Sequence, residues 1–330
     1  MEHKEFVGID VSQATLDVVI RSTGIHKQIA NTQAGRKKLL PWLKRMKADL
    51  EETLICFENT GIFSLPLLGF LADEKVHYVQ ISGLEAKRSM GIKRDKTDKV
   101  DAAALAQYAY RNREELQPDP PPNKILLAAR RLSSLRDLLV RQRAGLKSRL
   151  KVEVRMLDLP KRDLGVRMMQ KSIKEFTQKI ETLEKEILEL VNSDQGMKRN
   201  YELAISVKGI GPQTATFMLI ATANFTLFMN WRKFACYVGI VPFNHRSGTS
   251  IERKSRVSMM GNKHGKTLLS SAAASAIQSN SEMKLYFERR VNDGKHKMST
   301  LNIIRNKLVS RVFAAVNRNE PYIDIHKFAA

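Results

Sequence analysis

The fold of this chain is decided near its start by the segment FVGIDVS, residues Phe6–Ser12. An apolar run of this length that ends in an acid predicts a short buried strand. A second strand-like run follows at Thr15–Arg21, and Gly24 supplies a turn before a third run at His26–Ala30. Three strands joined by short turns predict an antiparallel meander.

Beyond the meander, helices and strands alternate. Thr32 is a predicted N-cap for a helix with apolar residues at helical spacing. The buried strand Glu52–Phe57 ends in another acid, Glu58, and a helix over 64–72 and a strand over 76–81 follow. The order β-β-β-α-β-α-β and then a further helix is that of a ribonuclease-H-like fold, so we predict an α/β N-terminal domain.

That further helix is entered through the segment KRDKTDKVDA, Lys93–Ala102. Asp98 and Asp101 are three residues apart and therefore project from the same helix face. Two carboxylates on one face repel each other unless a cation or a proton lies between them. The neighbouring lysines could supply that charge at a solvated surface, and a divalent metal could supply it in a catalytic site.

The predicted fold brings these acids together. Ligand sites in open α/β sheets gather at strand ends near the point where the strand order reverses. Asp10, Glu58, Asp98 and Asp101 would meet there, and four oxygen donors suit Mg²⁺ or Mn²⁺. Two such ions can activate a hydroxyl and stabilise the leaving oxygen of a phosphodiester. Taken singly, each acid also fits a turn or a helix start.

Composition points to a polyanionic partner. The 330 residues carry a net charge of +22, and this excess costs self-repulsion unless nucleic acid or a similar partner neutralises it. No apolar run is long enough to span a bilayer, and the start of the chain does not resemble a signal peptide, so we expect a cytoplasmic protein without a membrane partner. Cys56 and Cys236 lack zinc or disulfide spacing, and both lie in apolar runs that predict core positions.

The middle of the chain is predicted to be helical. The proline-rich segment Gln117–Asn123 ends the first domain, which we place at 1–116. A basic helix over 124–156 follows, and a second helix over 164–192 has the apolar spacing of a coiled coil. We therefore predict a linker and coiled-coil region at 117–195 and a mainly helical domain at 196–330.

The last domain contains two candidate features. VKGIGP (Val207–Pro212) resembles the turn of a helix-hairpin-helix, in which backbone amides approach a phosphate. SGTS (Ser247–Ser250) precedes a basic run and is either a solvated loop or the carrier of a nucleophilic hydroxyl. In this domain and in the basic helix, the predicted nucleic-acid contacts are Arg131, Arg141, Arg143, Lys147, Lys208, Arg253, Lys254, Arg256 and Lys263.

Taken together, these segments resemble a DEDD-type insertion-sequence transposase of the bridge-RNA-guided recombinase group. The resemblance covers nearly the whole chain, in the order VGID (Val7–Asp10), FENTG (Phe57–Gly61), KTDKVDA (Lys96–Ala102), VKGIGP (Val207–Pro212), FACYVGIVP (Phe234–Pro242) and SGTS (Ser247–Ser250). Asn59 and Thr249 depart from the usual pattern, but neither removes a carboxylate or the first serine.

The resemblance implies more than the residues do. It implies a RuvC-like domain whose acids are Asp10, Glu58, Asp98 and Asp101, and a transposase domain whose catalytic serine is Ser247. It also implies a covalent phosphoserine link to DNA, active sites completed between subunits of a tetramer, and a structured guide RNA that pairs with target and donor DNA.

The expected function is thus a Mg²⁺- or Mn²⁺-dependent site-specific DNA recombinase or transposase, assembled as a dimer to tetramer. One alternative is a hydrolytic RuvC-type nuclease, similar to a junction resolvase, whose C-terminal part only grips DNA. Another is a non-catalytic nucleic-acid-binding protein in which the acids are structural.

Overall fold

The computed structural model describes residues 3–89, 97–228, 230–247 and 251–323, and it describes residues 88–89, 244–247 and 251–255 by their backbone only. The chain divides into two compact units, Met1–Pro122 and Asn123–Ala330. Each unit has its own hydrophobic core. The predicted loop residues 93–96 lie outside the described part of the chain.

The N-terminal unit is built on one five-stranded sheet, and this confirms the predicted mixed α/β domain. Its strands are β1 (Glu5–Val11), β2 (Thr15–Ile20), β3 (His26–Ala30), β4 (Thr53–Glu58) and β5 (Tyr78–Ile81). The strand order in the sheet is β3-β2-β1-β4-β5. The meander pairs antiparallel, whereas β4 runs parallel to both β1 and β5. The chain between β3 and β4 thus passes outside the sheet, through helices.

Helices cover both faces of this sheet. They are α1 (Gln33–Arg36), α2 (Leu39–Arg45), α3 (Leu65–Asp73), α4 (Gly83–Ser89) and α5 (Asp98–Arg111), with a 3₁₀ turn at Gly61–Phe63. Alternation along β1 sends Val7 and Ile9 to the face covered by α2 and α3, and Phe6 to the face covered by α4 and α5. As predicted, Thr32 caps the first of these helices by accepting from the Gly35 amide.

The close approach of α5 to the sheet depends on a glycine. A Cβ atom at Gly8 would lie 1.9 Å from the Ala102 carbonyl oxygen and 2.4 Å from the Ala106 amide nitrogen. Only a residue without a side chain therefore allows the α5 backbone to rest directly on β1. The first turn of α5 is consequently held beside the end of β1.

The proline-rich segment follows the edge of β5. The Asp119 amide donates to the Tyr78 carbonyl at 2.8 Å, and the Asp119 carboxylate accepts from the Gln80 amide at 2.6 Å. The Tyr78 hydroxyl donates to the Pro120 carbonyl at 3.0 Å. These bonds satisfy part of the exposed edge of the sheet before the first unit ends at Pro122.

The second unit begins with two long helices whose bounds agree with the prediction, α6 (Lys124–Met156) and α7 (Leu164–Asn192). Arg136 of α6 forms an ion pair with Glu184 of α7 at 2.7 Å, and Arg143 donates to the Thr177 hydroxyl at 3.2 Å. Residues later in α6 thus meet residues earlier in α7, so the two helices pack antiparallel.

Among the described residues, six further helices and a two-stranded hairpin follow in this unit. They are α8 (Gln195–Ser206), α9 (Pro212–Ala221), α10 (Trp231–Tyr237), β6 (Pro242–Ser247), β7 (Ile251–Val257), α11 (Lys263–Ser279), α12 (Ser281–Asn292) and α13 (Lys297–Arg318). Phe234, Leu269, Leu308 and Val312 are among the fully buried residues of its core. The C-terminal region is therefore mainly helical, as predicted.

The structure corrects the sequence analysis in several places. The residues around the SGTS segment form the β6–β7 hairpin, not only a basic loop, and α12 was not predicted. Within α11, Gly265 packs so closely that a Cβ would be 2.4 Å from the Phe217 ring. Cys56 is buried as expected, whereas Cys236 is exposed.

Candidate functional site

Asp10 and Glu58 lie at the same end of neighbouring parallel strands. Ile9 pairs with Phe57, so the next residues along β1 and β4 are Asp10 and Glu58. Asp10 shares its face of β1 with Phe6 and Gly8, because alternate residues of a strand point to the same side. That is the face on which α5 packs. The two strand-end acids therefore lie on adjacent parallel strands, at the same end of the sheet.

The Glu58 carboxylate lies against the chain that leaves the next strand. Glu58 pairs with Ile81 of β5, and a Cβ at Gly83 would lie 2.5 Å from Glu58 Oε1. The absence of a side chain at Gly83 leaves room for the carboxylate at the start of α4. Glu58 is half-buried, so part of it remains open to solvent or a ligand.

Asp98 and Asp101 both lie in the first turn of α5. Thr97 caps this helix, with its hydroxyl accepting from the Val100 amide at 3.3 Å. Asp98 is exposed and Asp101 is half-buried. An exposed carboxylate in the first turn of a helix adds only modest stability through the helix dipole.

The electrostatics of Asp10 show that the four acids share one region. The pKa of Asp10 is raised from 3.8 to about 6, first by burial and then by the negative charges of Asp98, Asp101, Glu58 and Asp17, in that order. A carboxylate surrounded by like charges holds its proton more tightly. Acids that are up to 91 positions apart in the sequence thus act on one another in the fold.

Asp17 belongs to this region, and sequence reasoning missed it. It pairs with Asp10 across β1 and β2 and is only 3% exposed. Its carboxylate bonds to His26 Nε2 at 2.8 Å and accepts from Gln28 Nε2 at 3.2 Å. The sequence signal for Asp17 was its position between Leu16 and Val18 in a strand. Both neighbours pack into the core on the other face of the sheet, so Asp17 faces the side of Asp10.

The donor set fits a hard divalent cation in its chemistry, because carboxylate oxygens are what Mg²⁺ and Mn²⁺ prefer. Among the described residues, however, no group of three acid, histidine or cysteine side chains is close enough together to hold one ion.

Ser247 lies in the other unit. It is the last residue of β6, and its backbone pairs with that of Ile251, the first residue of β7. The side chain of Ser247 lies outside the described part of the structure. The hairpin is anchored at its base, since the Ile240 carbonyl accepts from Asn302 Nδ2 at 2.7 Å and from Asn306 Nδ2 at 3.1 Å.

The predicted nucleic-acid residues fall into different environments. On α6, Arg131, Arg141 and Lys147 are exposed, whereas Arg143 is half-buried in the contact with α7. In the last domain, Arg256 and Lys263 are exposed, and Lys208, which follows α8, is half-buried. The side chains of Arg253 and Lys254 lie outside the described part of the structure.

The turn that carries Lys208 does join two helices, α8 and α9, as the sequence predicted. Gly209 has a φ of +98°, and the Ile210 amide donates to the Val207 carbonyl at 2.9 Å. A Cβ at Gly209 would lie 2.6 Å from that of Ala276, so the turn packs tightly against α11. Within the described ranges, no helix is long and apolar enough to cross a membrane.

Comparison with protein families gives two matches. The family profile DEDD_Tnp_IS110, described as a transposase, matches residues 7–156. A second profile, described as "Transposase IS116/IS110/IS902 family", matches residues 201–288. The first includes Asp10, Glu58, Asp98 and Asp101, and the second includes Ser247. Together the two profiles cover more than two thirds of the chain.

Individual relatives agree with this result. The chain is 25% identical over 325 residues to the "Pilin gene-inverting protein" of Moraxella bovis, covering 97% of this chain and 98% of the relative. The protein of that name from Moraxella lacunata is 25% identical with the same coverage. A "Probable family 20 transposase" of Pseudomonas aeruginosa is 27% identical over 113 residues, one third of each chain. The chain therefore belongs to the IS110-type transposase family and is a DNA transposase or recombinase.

Proposed function

We propose that this enzyme is a site-specific recombinase that cuts and rejoins DNA through a covalent phosphoserine intermediate at Ser247. The observation that carries the proposal is the convergence of Asp10, Glu58 and the first turn of α5 at one end of the sheet. The relatives named for inverting a pilin gene support a site-specific reaction, because inversion of a defined segment requires cutting and rejoining at fixed positions.

The strand order supports the proposal that the N-terminal unit is an RNase-H/RuvC-like domain. An antiparallel meander precedes two parallel strands in the order β3-β2-β1-β4-β5, and acids stand at the ends of β1 and β4. The antiparallel packing of α6 and α7 likewise supports the coiled-coil interpretation of the middle region. In this scheme Met1–Pro122 is the acid-bearing domain, and the serine lies in the domain after α7.

Asp10, Glu58, Asp98 and Asp101 would hold Mg²⁺ or Mn²⁺. The metal would supply a Lewis acid that stabilises the developing charge on the phosphate oxygens. Asp10 must lose its proton to act as a ligand, and the pKa of about 6 means that it does so above that pH. Mutual repulsion among the acids favours a bound cation, because the cation removes that repulsion.

Ser247 would carry out the covalent step. Its Oγ attacks the phosphorus and gives its proton to a carboxylate of the acid cluster. The bond between phosphorus and the deoxyribose oxygen breaks, and this oxygen leaves as a hydroxyl after taking up a proton. The resulting serine ester can be attacked in turn by the hydroxyl of another strand, which rejoins the DNA and frees the serine.

The acids and the serine would meet between subunits of a dimer or tetramer. A structured guide RNA would choose the DNA sites by base pairing. The exposed cations Arg131, Arg141 and Lys147 on α6 support contact with a nucleic-acid backbone, since few acids on this helix can neutralise them.

The test of the covalent step is to trap an adduct between the protein and labelled DNA on a denaturing gel. The enzyme should be purified with the RNA that accompanies it from cells carrying the native flanking DNA, and assayed with Mg²⁺. We expect Ser247→Ala to abolish both the adduct and recombination, with DNA binding retained. A reaction that depends on a water molecule would form no adduct.

Ser250→Ala is the matched control, because it removes the other hydroxyl of the same motif and should still form the adduct. Recombination by Ser247→Ala at the wild-type rate would refute the nucleophile assignment. Metal-dependent cleavage without any adduct would instead favour a hydrolytic RuvC-type nuclease.

A further inference from the structure

The C-terminal unit contains a cavity that plays no part in the reaction proposed above. It has a volume of about 300 Å³ and lies along α13 beside the start of α10. Its lining residues, which we call the α13 pocket, are Trp231, Ile303, Asn306, Lys307, Ser310 and Arg311. The pocket therefore combines an indole, two cations, a hydroxyl and a carboxamide.

Cations contact aromatic rings at two residues of the α13 pocket, Lys307 and Trp231. Lys307 Nζ lies 3.8 Å from the centre of the Tyr286 ring, and the Arg289 guanidinium lies 5.7 Å from the same ring. The Arg232 guanidinium lies 5.1 Å from the centre of the Trp231 ring. Such an arrangement offers flat π surfaces and positive charge within one small region, as nucleic-acid-binding sites do.

Positive charge in this region exceeds negative charge. Both oxygens of Glu282 accept from Arg311 NH2 at 2.7 Å, so this carboxylate already has a partner. Within the described residues, no carboxylate forms an ion pair with Lys307. The pKa of Lys307 is lowered, first by partial burial, and the repulsion of Arg311 and Arg289 adds to this while Glu282 opposes it. A bound anion would relieve that repulsion.

We propose that the α13 pocket binds one unstacked nucleotide of a nucleic-acid strand. Lys307 and the Ser310 hydroxyl would hold the phosphate, and Trp231 would provide the face on which the base stacks. The cavity volume is at the lower limit of the roughly 300–1,000 Å³ of ordinary ligand pockets, which suits one nucleotide but not a stacked duplex. The ligand is therefore a single strand, a loop or a strand end.

Two considerations favour nucleic acid over an acidic peptide. The net charge of +22 already indicates a polyanion with many phosphates. In addition, a carboxylate side chain would use the cations of the α13 pocket but not the Trp231 surface. DNA and RNA share the phosphate and base that this pocket recognises, so the experiment must distinguish these two sources.

Asn306 links the α13 pocket to the hairpin whose first strand, β6, ends at Ser247. Its carboxamide donates to the Ile240 carbonyl at 3.1 Å and to the Asn302 carbonyl at 2.9 Å. Ile240 lies two residues before β6 begins. A strand held in the pocket would thus lie next to the base of this hairpin.

The proposal can be tested through Trp231 fluorescence in the full-length protein. The chain has two tryptophans, and the other, Trp42, is 5% exposed in the core of the N-terminal unit. Oligonucleotides of eight deoxythymidines and of eight uridines are titrated in separate experiments. We expect stacking to quench the emission, and Trp231→Phe should remove this signal while preserving apolar packing.

Lys307→Gln should weaken binding about fivefold to tenfold and reduce the slope of log affinity against log salt by about 0.7, as expected for one lost phosphate contact on a single strand. Lys297→Gln is the matched control, since it removes the same charge from an exposed position on the same helix. Ser247→Ala should leave the quenching unchanged, so the result does not depend on the proposed nucleophile.

Quenching by either oligonucleotide with this dependence on Lys307 supports the α13 pocket and shows whether DNA, RNA or both bind. Equal affinities of Lys307→Gln and Lys297→Gln would overturn the proposal, as would a lack of quenching by both oligonucleotides. A hexaglutamate peptide that binds with the same dependence on Lys307 would also overturn it, because the site would then recognise acidic protein segments.

Discussion

Replacing Asp10 with asparagine should stabilise the metal-free protein. The rise in the pKa of Asp10 from 3.8 to about 6 means that its charged form is disfavoured in the fold. At about 1.4 kcal/mol per pKa unit this corresponds to about 3 kcal/mol. Asp10 is only partly buried, so solvent screening reduces the expected gain to about 1–2 kcal/mol.

The raised pKa of Asp10 determines how the stability gained by Asp10→Asn depends on pH. Because the pKa in the folded state is higher than in the unfolded state, the destabilisation is fully present above about pH 6. It is relieved as the pH falls from about 6 towards 3.8, where Asp10 is protonated in the folded protein. Asp10→Asn should therefore be more stable than wild type at pH 7.5, and the difference should disappear near pH 4.

Urea denaturation in the presence of EDTA measures this difference. The buried Trp42 reports on the N-terminal unit, because it lies in the core beneath the sheet. Glu114→Gln is the control, since its side chain is 88% exposed in the same unit and its loss should change stability by less than about 0.5 kcal/mol. Added Mg²⁺ should stabilise the wild type and remove the advantage of the variant.

Two results would refute this reasoning. Asp10→Asn could be no more stable than wild type at pH 7.5, which would mean that Asp10 is not crowded by the other acids. The stability difference could also be the same at pH 4 and pH 7.5, which would mean that it arises from packing and not from charge.

Two further predictions test the geometry of the sheet and of α5. Gly8→Ala should destabilise the N-terminal unit by about 3 kcal/mol or more in the same urea assay, because its Cβ would clash with the α5 backbone. Gly69→Ala is the control and should not destabilise the unit, since nothing lies within 4 Å of a Cβ at Gly69. Asp98→Ala should abolish recombination but retain DNA affinity within about threefold, because the exposed carboxylate contributes little to folding. Full recombination by this variant would exclude Asp98 from the site.

The predicted helices of the middle region show what local patterns reveal. Both α6 and α7 have the bounds that their apolar spacing indicated. The same helices also show what local patterns do not reveal, because Arg143, predicted as a phosphate contact, donates to Thr177 on α7. A basic side chain on a helix can serve a neighbouring helix or a ligand, and only the packing distinguishes the two.

The β6–β7 hairpin shows a different limit. The segment is dominated by charged and polar residues, so composition suggested a loop followed by a basic run. In the structure its backbone pairs from Pro242 with Val257 to Ser247 with Ile251. The approach of Gly239 to Gly261 helps to close the hairpin at its base, where a Cβ at Gly261 would lie 2.4 Å from Gly239 Cα. That contact joins residues 22 positions apart, beyond the reach of a local pattern.

By itself, the sequence determined the order of the elements, the positive charge and the position of each acid at a strand end or helix start. These properties depend on the spacing of apolar residues and on capping, both of which are local. Only the tertiary structure decided that β4 pairs with β1, that Gly8 admits α5, and that Asp17 stands beside Asp10. Such features depend on contacts between distant residues, because strand pairing and close backbone approach are set by the packing of the whole unit.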